Sequence, residues 1–119
     1  MKLRCTENSI RLRLRKSDIE VLKSQNFVQE IVQFPGSDDF SFTICISENS
    51  ELYASFTNHE ILVYIPTEMA NLWINSDQVS LQSQIKTTEH KSLSILIEKD
   101  FPCLDREEID RDDTFWELT

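Results

Sequence analysis

The sequence predicts a mainly β (α+β) fold in which two consecutive ββαββ units form a small β-barrel with two short helices. Three observations lead there. Several segments alternate apolar and polar residues with a period of two, the mark of half-buried strands. Two short helical signals stand at matching places, near residues 20 and 71. Apolar positions in the first half recur 51 residues later with their parity intact, and burial of one strand face requires that parity.

The elements follow in order. Lys2–Cys5 reads as a short strand, with Thr6–Asn8 as a hairpin turn. In residues 9–15, Ile10, Leu12 and Leu14 point one way and Arg11, Arg13 and Arg15 the other. Ser17 and Glu20 suit a capping box that opens a helix reaching about Gln25, with Ile19 and Leu22 inward. Phe27–Phe34 is rich in β-branched and aromatic residues and reads as a strand. Residues 35–39 combine proline, glycine and aspartate into a turn. Phe42, Ile44 and Ile46 mark the inner face of the strand after it.

The second half repeats this order. Leu52–Thr57 and Glu60–Ile65 are strands joined by a turn at Asn58-His59. Thr67, just after Pro66, suits the cap of a helix running to about Asn75. Val79–Ile85 and Leu93–Ile97 are strands separated by a polar loop over 86–90. At a constant shift of 51, Ile10, Leu12 and Leu14 fall on Ile61, Val63 and Ile65. Val21 and Leu22 fall on Leu72 and Trp73, Val28 on Val79, and Phe34 on Ile85. Phe42, Ile44 and Ile46 fall on Leu93, Ile95 and Ile97. Residues 1–100 are therefore expected to form one domain of two repeats, 1–48 and 51–99, with 101–119 as an acidic C-terminal tail.

Composition narrows the function. A single glycine, Gly36, excludes glycine-rich phosphate loops and dinucleotide fingerprints. Cys5, Cys45 and Cys103 are odd in number and widely spaced, so neither a disulfide framework nor a four-thiolate zinc site is expected. No apolar run approaches the roughly 18 residues needed to cross a bilayer, and the first residues lack a secretory core, so a cytoplasmic location is expected. The net charge of −9 opposes indiscriminate binding to nucleic acid or anionic membrane. That charge is unevenly spread. Residues 1–23 hold seven of the twelve basic residues against three acids, and residues 98–119 hold nine acids against three bases.

Two resemblances follow from particular residues. The run Ile61–Pro66, the helix after it and Ser76-Asp77-Gln78-Val79 resemble the swapped-hairpin motif of AbrB- and MazE-type regulators and antitoxins. Ser76 stands where that motif usually has glycine. In that family two chains build one barrel and bind DNA, so the resemblance implies a regulator descended from such a dimer. Over its whole length the chain also resembles a family of small bacterial proteins of unknown function. Lys2–Arg4 with Asn8–Leu14, and Ile97–Leu104, carry that resemblance, which implies a bacterial cytosolic protein.

The candidate chemistry lies at the two ends. Arg11, Arg13 and Arg15, with Arg4 and Lys16 beside them, suit contact with phosphates or an anionic protein. They equally suit a solvated strand face whose charges discourage edge pairing. No aromatic residue interleaves with them, so stacking on single-stranded nucleic acid is not expected. Phe115, Trp116 and Leu118 end the acidic tail and are candidates for docking, either to a partner or back onto the same chain. His59, His90 and Cys103 have no metal-motif spacing, and neither cofactor nor metal is expected. Gly36-Ser37 reads as a turn rather than a self-processing bond. The acidic run at 107–113 reads as a solvated tail rather than a catalytic carboxylate pair. These features predict a non-enzymatic binding module with a protein partner, itself or another. A DNA-binding regulator is the alternative, and a small barrel enzyme a weaker one.

Overall fold

The computed structural model describes residues 1–36 and 38–101. The element order is β1 (Lys2–Thr6), β2 (Ser9–Leu14), α1 (Lys16–Gln25), β3 (Phe27–Gln33), β4 (Asp39–Ser47), β5 (Tyr53–Thr57), β6 (Glu60–Pro66), α2 (Thr67–Ile74), β7 (Ser80–Lys86) and β8 (Ser92–Lys99). Each expected strand and helix is present, most with ends moved by a residue or two. Neither helix is long and apolar enough to cross a membrane.

The strands form two four-stranded sheets, ordered β1-β2-β8-β7 (sheet A) and β3-β4-β6-β5 (sheet B). This corrects the expected closed barrel. Among the described residues β1, β7, β3 and β5 each have one hydrogen-bonded neighbour, so each sheet ends in two edge strands rather than closing. The central pairs, β2 with β8 and β4 with β6, are parallel, and the outer pairs are antiparallel hairpin partners. Sheet A thus joins the first strands of the chain to its last, while sheet B holds the middle four.

Tight turns close the two leading hairpins. Glu7-Asn8 and Asn58-His59 both have positive φ at both residues, 50° and 61°, then 51° and 62°. Paired left-handed residues in a two-residue loop suit the right-handed twist of a hairpin, and asparagine tolerates that conformation.

Alternation decides which face of each sheet is buried. Ile10, Leu12, Leu14, Leu81, Ile95 and Ile97 of sheet A share one interior with Val28, Phe42, Ile44, Val63 and Ile65 of sheet B. Leu22, Ala70 and Trp73 add the inner faces of the helices. Trp73 is wholly buried, and its indole N–H donates to the Val79 carbonyl at 3.0 Å. The Lys99 ammonium stands 5.8 Å over the same ring and donates to the Ser76 carbonyl at 2.8 Å.

The constant shift of 51 holds only through the second helix. β5, β6 and α2 begin at 53, 60 and 67, against 2, 9 and 16 for β1, β2 and α1. β7 and β8 begin at 80 and 92, against 27 and 39 for β3 and β4, which is a shift of 53. The expected match of Val28 with Val79 is therefore corrected. Val79 is 45% exposed in the connection, and Leu81 is buried like Val28. An offset of two leaves parity unchanged, so the pattern alone could not reveal it.

Both expected helix caps are corrected as well. α1 starts at Lys16, and Arg15 rather than Ser17 is its cap residue. The Asp18 carboxylate, not Glu20, accepts the Arg15 amide at 2.8 Å. A tertiary contact fixes this choice, because the Met1 ammonium lies 3.0 Å from Asp18 and 3.0 Å from Glu30 of β3. Thr67 is the first helical residue of α2 rather than its cap, and its hydroxyl donates to the Ser47 carbonyl at 3.1 Å.

Burial pushes the Asp18 carboxyl upward, but the hydrogen bonds from the terminal ammonium and the Arg15 amide, with the charges of both residues, outweigh it. The net value lies below the usual one. A carboxylate lowered by folding contributes stability above its unfolded value and loses it as pH falls through the folded value. Asp18→Asn should thus lower the thermal midpoint at pH 7 and reduce its further fall between pH 5 and 3. An acid limb as steep as that of the parent protein would overturn this account. Trp73→Ala should cost about 3–5 kcal/mol in urea unfolding. Leu72→Ala, at a position 64% exposed, should stay within about 0.5 kcal/mol, and equal losses would contradict the assigned helix face.

Candidate functional site

Pairing β1 with β2 sets Arg4 opposite Arg11 and Lys2 opposite Arg13. All four belong to the outer face of sheet A, because Leu3, Ile10, Leu12 and Leu14 take the inner one. Like charges directly opposite on neighbouring strands repel, so this arrangement needs anions.

The next strand supplies one. Register places Glu98 of β8 beside Arg13. Its Oε1 accepts from Arg11 Nε at 2.8 Å and from Arg13 Nε at 2.9 Å, and Arg11 Nη2 lies 2.7 Å away. One carboxylate therefore holds two guanidinium groups by short, charge-assisted bonds. Among the described residues Arg4 and Lys2 make no ion pair, and both are exposed. Arg15 sits at the mouth of α1 with Nε 3.5 Å from Asp18, and Lys16 is exposed in the first turn. The five sequence candidates thus divide: Arg4, Arg11 and Arg13 converge on one surface, while Arg15 and Lys16 belong to the helix start beside it.

Two adjoining hollows occupy this face. Lys2, Leu3, Arg4, Arg11 and Arg13 line one of about 320 Å³. The other, of about 720 Å³, has Arg4 and Arg11 on one side and Gln82, Gln84 and Ser94 on the other. The second thus combines guanidinium donors with uncharged side chains that can donate and accept. Sequence reasoning missed Glu98, Gln82, Gln84 and Ser94. Alternation on β8 gives the side of Ser94 and Glu98 but not that β2 is the neighbour, and Gln82 and Gln84 join them through the pairing of β7 with β8.

The outer face of sheet B is built differently. Glu60 Oε2 accepts from Thr43 at 2.7 Å, Gln29 at 2.9 Å and Ser41 at 3.3 Å. The Thr43 bond, helped by those of Gln29 and Ser41 and opposed by burial, holds the Glu60 carboxyl below its usual range. Burial, with the Glu60 charge nearby, raises the Cys45 thiol. A raised pKa disfavours the thiolate and hence nucleophilic use.

The other sequence candidates fall as follows. Cys5 and Cys45 are free thiols, and His59 and His90 are exposed in separate hairpin loops. Among the described residues, no group of three or more His, Cys, Asp or Glu side chains could hold a metal ion. Cys103 and the docking candidates Phe115, Trp116 and Leu118 lie outside the described residues, as does Ser37.

Residues 1–117 match the profile of a family of unknown function, DUF7009. No curated protein and no solved structure matches the chain, so the motif resemblance of residues 61–79 to AbrB- and MazE-type regulators gains no further similarity.

Glu98→Gln should cost about 1–2 kcal/mol in urea unfolding, because charge-assisted bonds contribute more than neutral ones while partial exposure of the arginines discounts them. The loss should shrink when Arg11 is also changed to Gln, since the repulsion then falls. Strict additivity of the two losses would mean that the pair is not coupled.

Proposed function

The chain belongs to this family of unknown function, and we propose that it is a non-enzymatic interaction module whose sheet A takes an acidic segment of a protein partner. The observation that carries this reading is the excess of cations on one face. Lys2, Arg4, Arg11 and Arg13 line one hollow, and Glu98 pairs with Arg11 and Arg13 there. Glu98 also supplies the template, since Arg11 and Arg13 already hold a carboxylate there. A second carboxylate beside Arg4 would relieve the Arg4–Arg11 opposition.

Protein is favoured over nucleic acid on two grounds. A net charge of −9 disfavours approach of a long polyanion. The uncharged rim of Gln82, Gln84 and Ser94 suits the amides of a peptide. The enzyme reading has less support, because Asp18, Cys45 and Glu60, the groups with displaced pKa values, do not line either hollow.

A second reading, a DNA-binding regulator of swapped-hairpin descent, is favoured by one feature. Each sheet takes one hairpin from residues 1–48 and one from 51–99, joined by a parallel central pair. Duplication of a ββαββ unit, followed by insertion of two residues before β7, would generate that arrangement. Fusing the halves of an intertwined dimer would give the same connectivity.

Fluorescence anisotropy with a labelled polyglutamate peptide and a 20-base-pair duplex separates the readings. Replacement of Arg4, Arg11 and Arg13 by Gln should weaken polyglutamate binding at least about tenfold at low salt, through loss of charge-assisted contacts. No loss would refute the assignment of the face. Tighter binding of the duplex, with a steep salt dependence lost in the same variant, would establish the regulator reading instead.

A further inference from the structure

We propose that β3 is the docking edge for a second copy of this chain. Two β3 strands pair antiparallel about a two-fold axis at Gln29 and join the two B sheets into one. The inference is independent of the cationic face, which belongs to sheet A.

Edge strands offer their outer backbone groups to any strand that approaches, and folded proteins usually blunt them with charge, shortness or proline. β1 carries Lys2 and Arg4, β5 has only 5 residues, and β7 ends in Lys86 with Gln82 and Gln84 on its outer face. β3 has none of these defences. It runs for 7 residues, Phe27–Gln33, without proline, lysine or arginine. Its one charge, Glu30, lies on the same side of the strand as buried Val28 and stands 3.0 Å from the Met1 ammonium. Among the described residues β3 pairs with β4 alone.

The ladder shows which groups face outward. The Asn26 carbonyl accepts the Ile46 amide at 2.9 Å. Alternation along an antiparallel pair then turns the amides and carbonyls of Phe27, Gln29, Ile31 and Gln33 away from β4. The same residues put their side chains on the outer face of sheet B, where Phe27 is 46% and Ile31 56% exposed. Two apolar side chains thus flank Gln29 on the edge itself, one on either side.

That spacing is self-complementary. An axis at Gln29 sets Phe27 of each copy opposite Ile31 of the other, and these pairs exchange amide-to-carbonyl bonds in both directions. An aromatic residue against a β-branched one is a favourable cross-strand pair. On the other side of the ladder Val28 of one copy meets Glu30 of the other. An axis at Glu30 would instead oppose two carboxylates and set Phe27 against Gln33, and an axis at Ile31 would bring Phe27 against Pro35, which has no amide to donate. A different protein would have to supply an apolar pair at this spacing, whereas a second copy already has it.

Electrostatics sets the strength of the contact. The net charge of −9 on each copy opposes association, and salt screens that repulsion. The dimer therefore tightens as salt rises, the reverse of an interface built on ion pairs. Pairing confined to one strand from each copy is small, so a Kd of about 10–100 µM is expected.

The test is sedimentation velocity on the full chain across about 5–500 µM, a range that brackets this Kd. Monomer should give way to dimer, at lower concentration in about 0.5 M salt than in 0.05 M. Ile31→Lys should weaken the dimer at least about tenfold and leave the thermal midpoint of dilute protein unchanged, because the position is exposed. Thr57→Lys, on the edge formed by β5, should leave the dimer intact. In the parent, amide hydrogen exchange at Phe27, Gln29 and Ile31 should slow as concentration rises, which locates the contact even if Ile31→Lys folds poorly. A chain still monomeric at the highest concentration would overturn the inference. So would a dimer that survives Ile31→Lys with those amides unprotected. Loss of the dimer in Thr57→Lys but not in Ile31→Lys would move the contact to β5 and overturn it as well.

Discussion

The two parallel strand pairs, β2 with β8 and β4 with β6, are the constraint on which the rest of this protein depends. Four hairpin-like pairs would otherwise be isolated ribbons, each with one apolar face and marginal stability. Joining them two by two makes sheets wide enough to cover a core, and each junction pairs strands far apart in sequence. Because side chains alternate, the junction register also decides which residues share the outer face. Arg13 meets Glu98 for the same reason that Leu12 sits beside Ile97 in the interior. The core and the charged surface are two readings of one ladder.

The helices follow from that arrangement. Each connects a strand of one sheet to a strand of the other, so each packs one narrow apolar stripe against the shared interior. Leu22 and Trp73 are fully buried, whereas their preceding neighbours Val21 and Leu72 are exposed. Trp73 ties its helix to the loop before β7 through the Val79 carbonyl, and Lys99 closes over the indole from the end of β8. At the opposite end of the chain, Met1 joins β3 and α1 through Glu30 and Asp18. Both ends of sheet A are therefore fastened by charged groups placed against otherwise buried surface.

Much of this was legible in the residues, and what was hidden was hidden for physical reasons. Period-two alternation identified the strands and their inner faces, since burial of one face is a local, repeating requirement. Asparagine in the hairpin turns and the apolar faces of the helices were similarly local. Strand order was not, because alternation says which way Glu98 points and nothing about what stands beside it. The barrel expectation failed there: pooled apolar faces are compatible with one closed sheet or with two open ones. The two-residue offset before β7 preserves parity and so left no trace in the pattern. Asp18 displaced Glu20 as the helix-start carboxylate through contact with Met1, a partner 17 positions away. For the candidate site, the arginines were visible as a row, but their counter-ion and the glutamine rim were not.

The order of sheet A also has a consequence for biosynthesis. Ile10 faces Ile95 across the central pair, and Arg13 meets Glu98 across 85 positions. A ribosome adding about 5–20 residues per second needs roughly 4–17 s to make that interval. Throughout it, the nascent β1–β2 hairpin offers Leu12 and Leu14 with no strand to receive them. Its arginines alternate with those leucines, so the unpaired ribbon is strongly cationic while it waits, and mutual repulsion discourages hairpins on neighbouring ribosomes from zipping together. The same residues that define the mature surface would thus guard the newborn chain from aggregation.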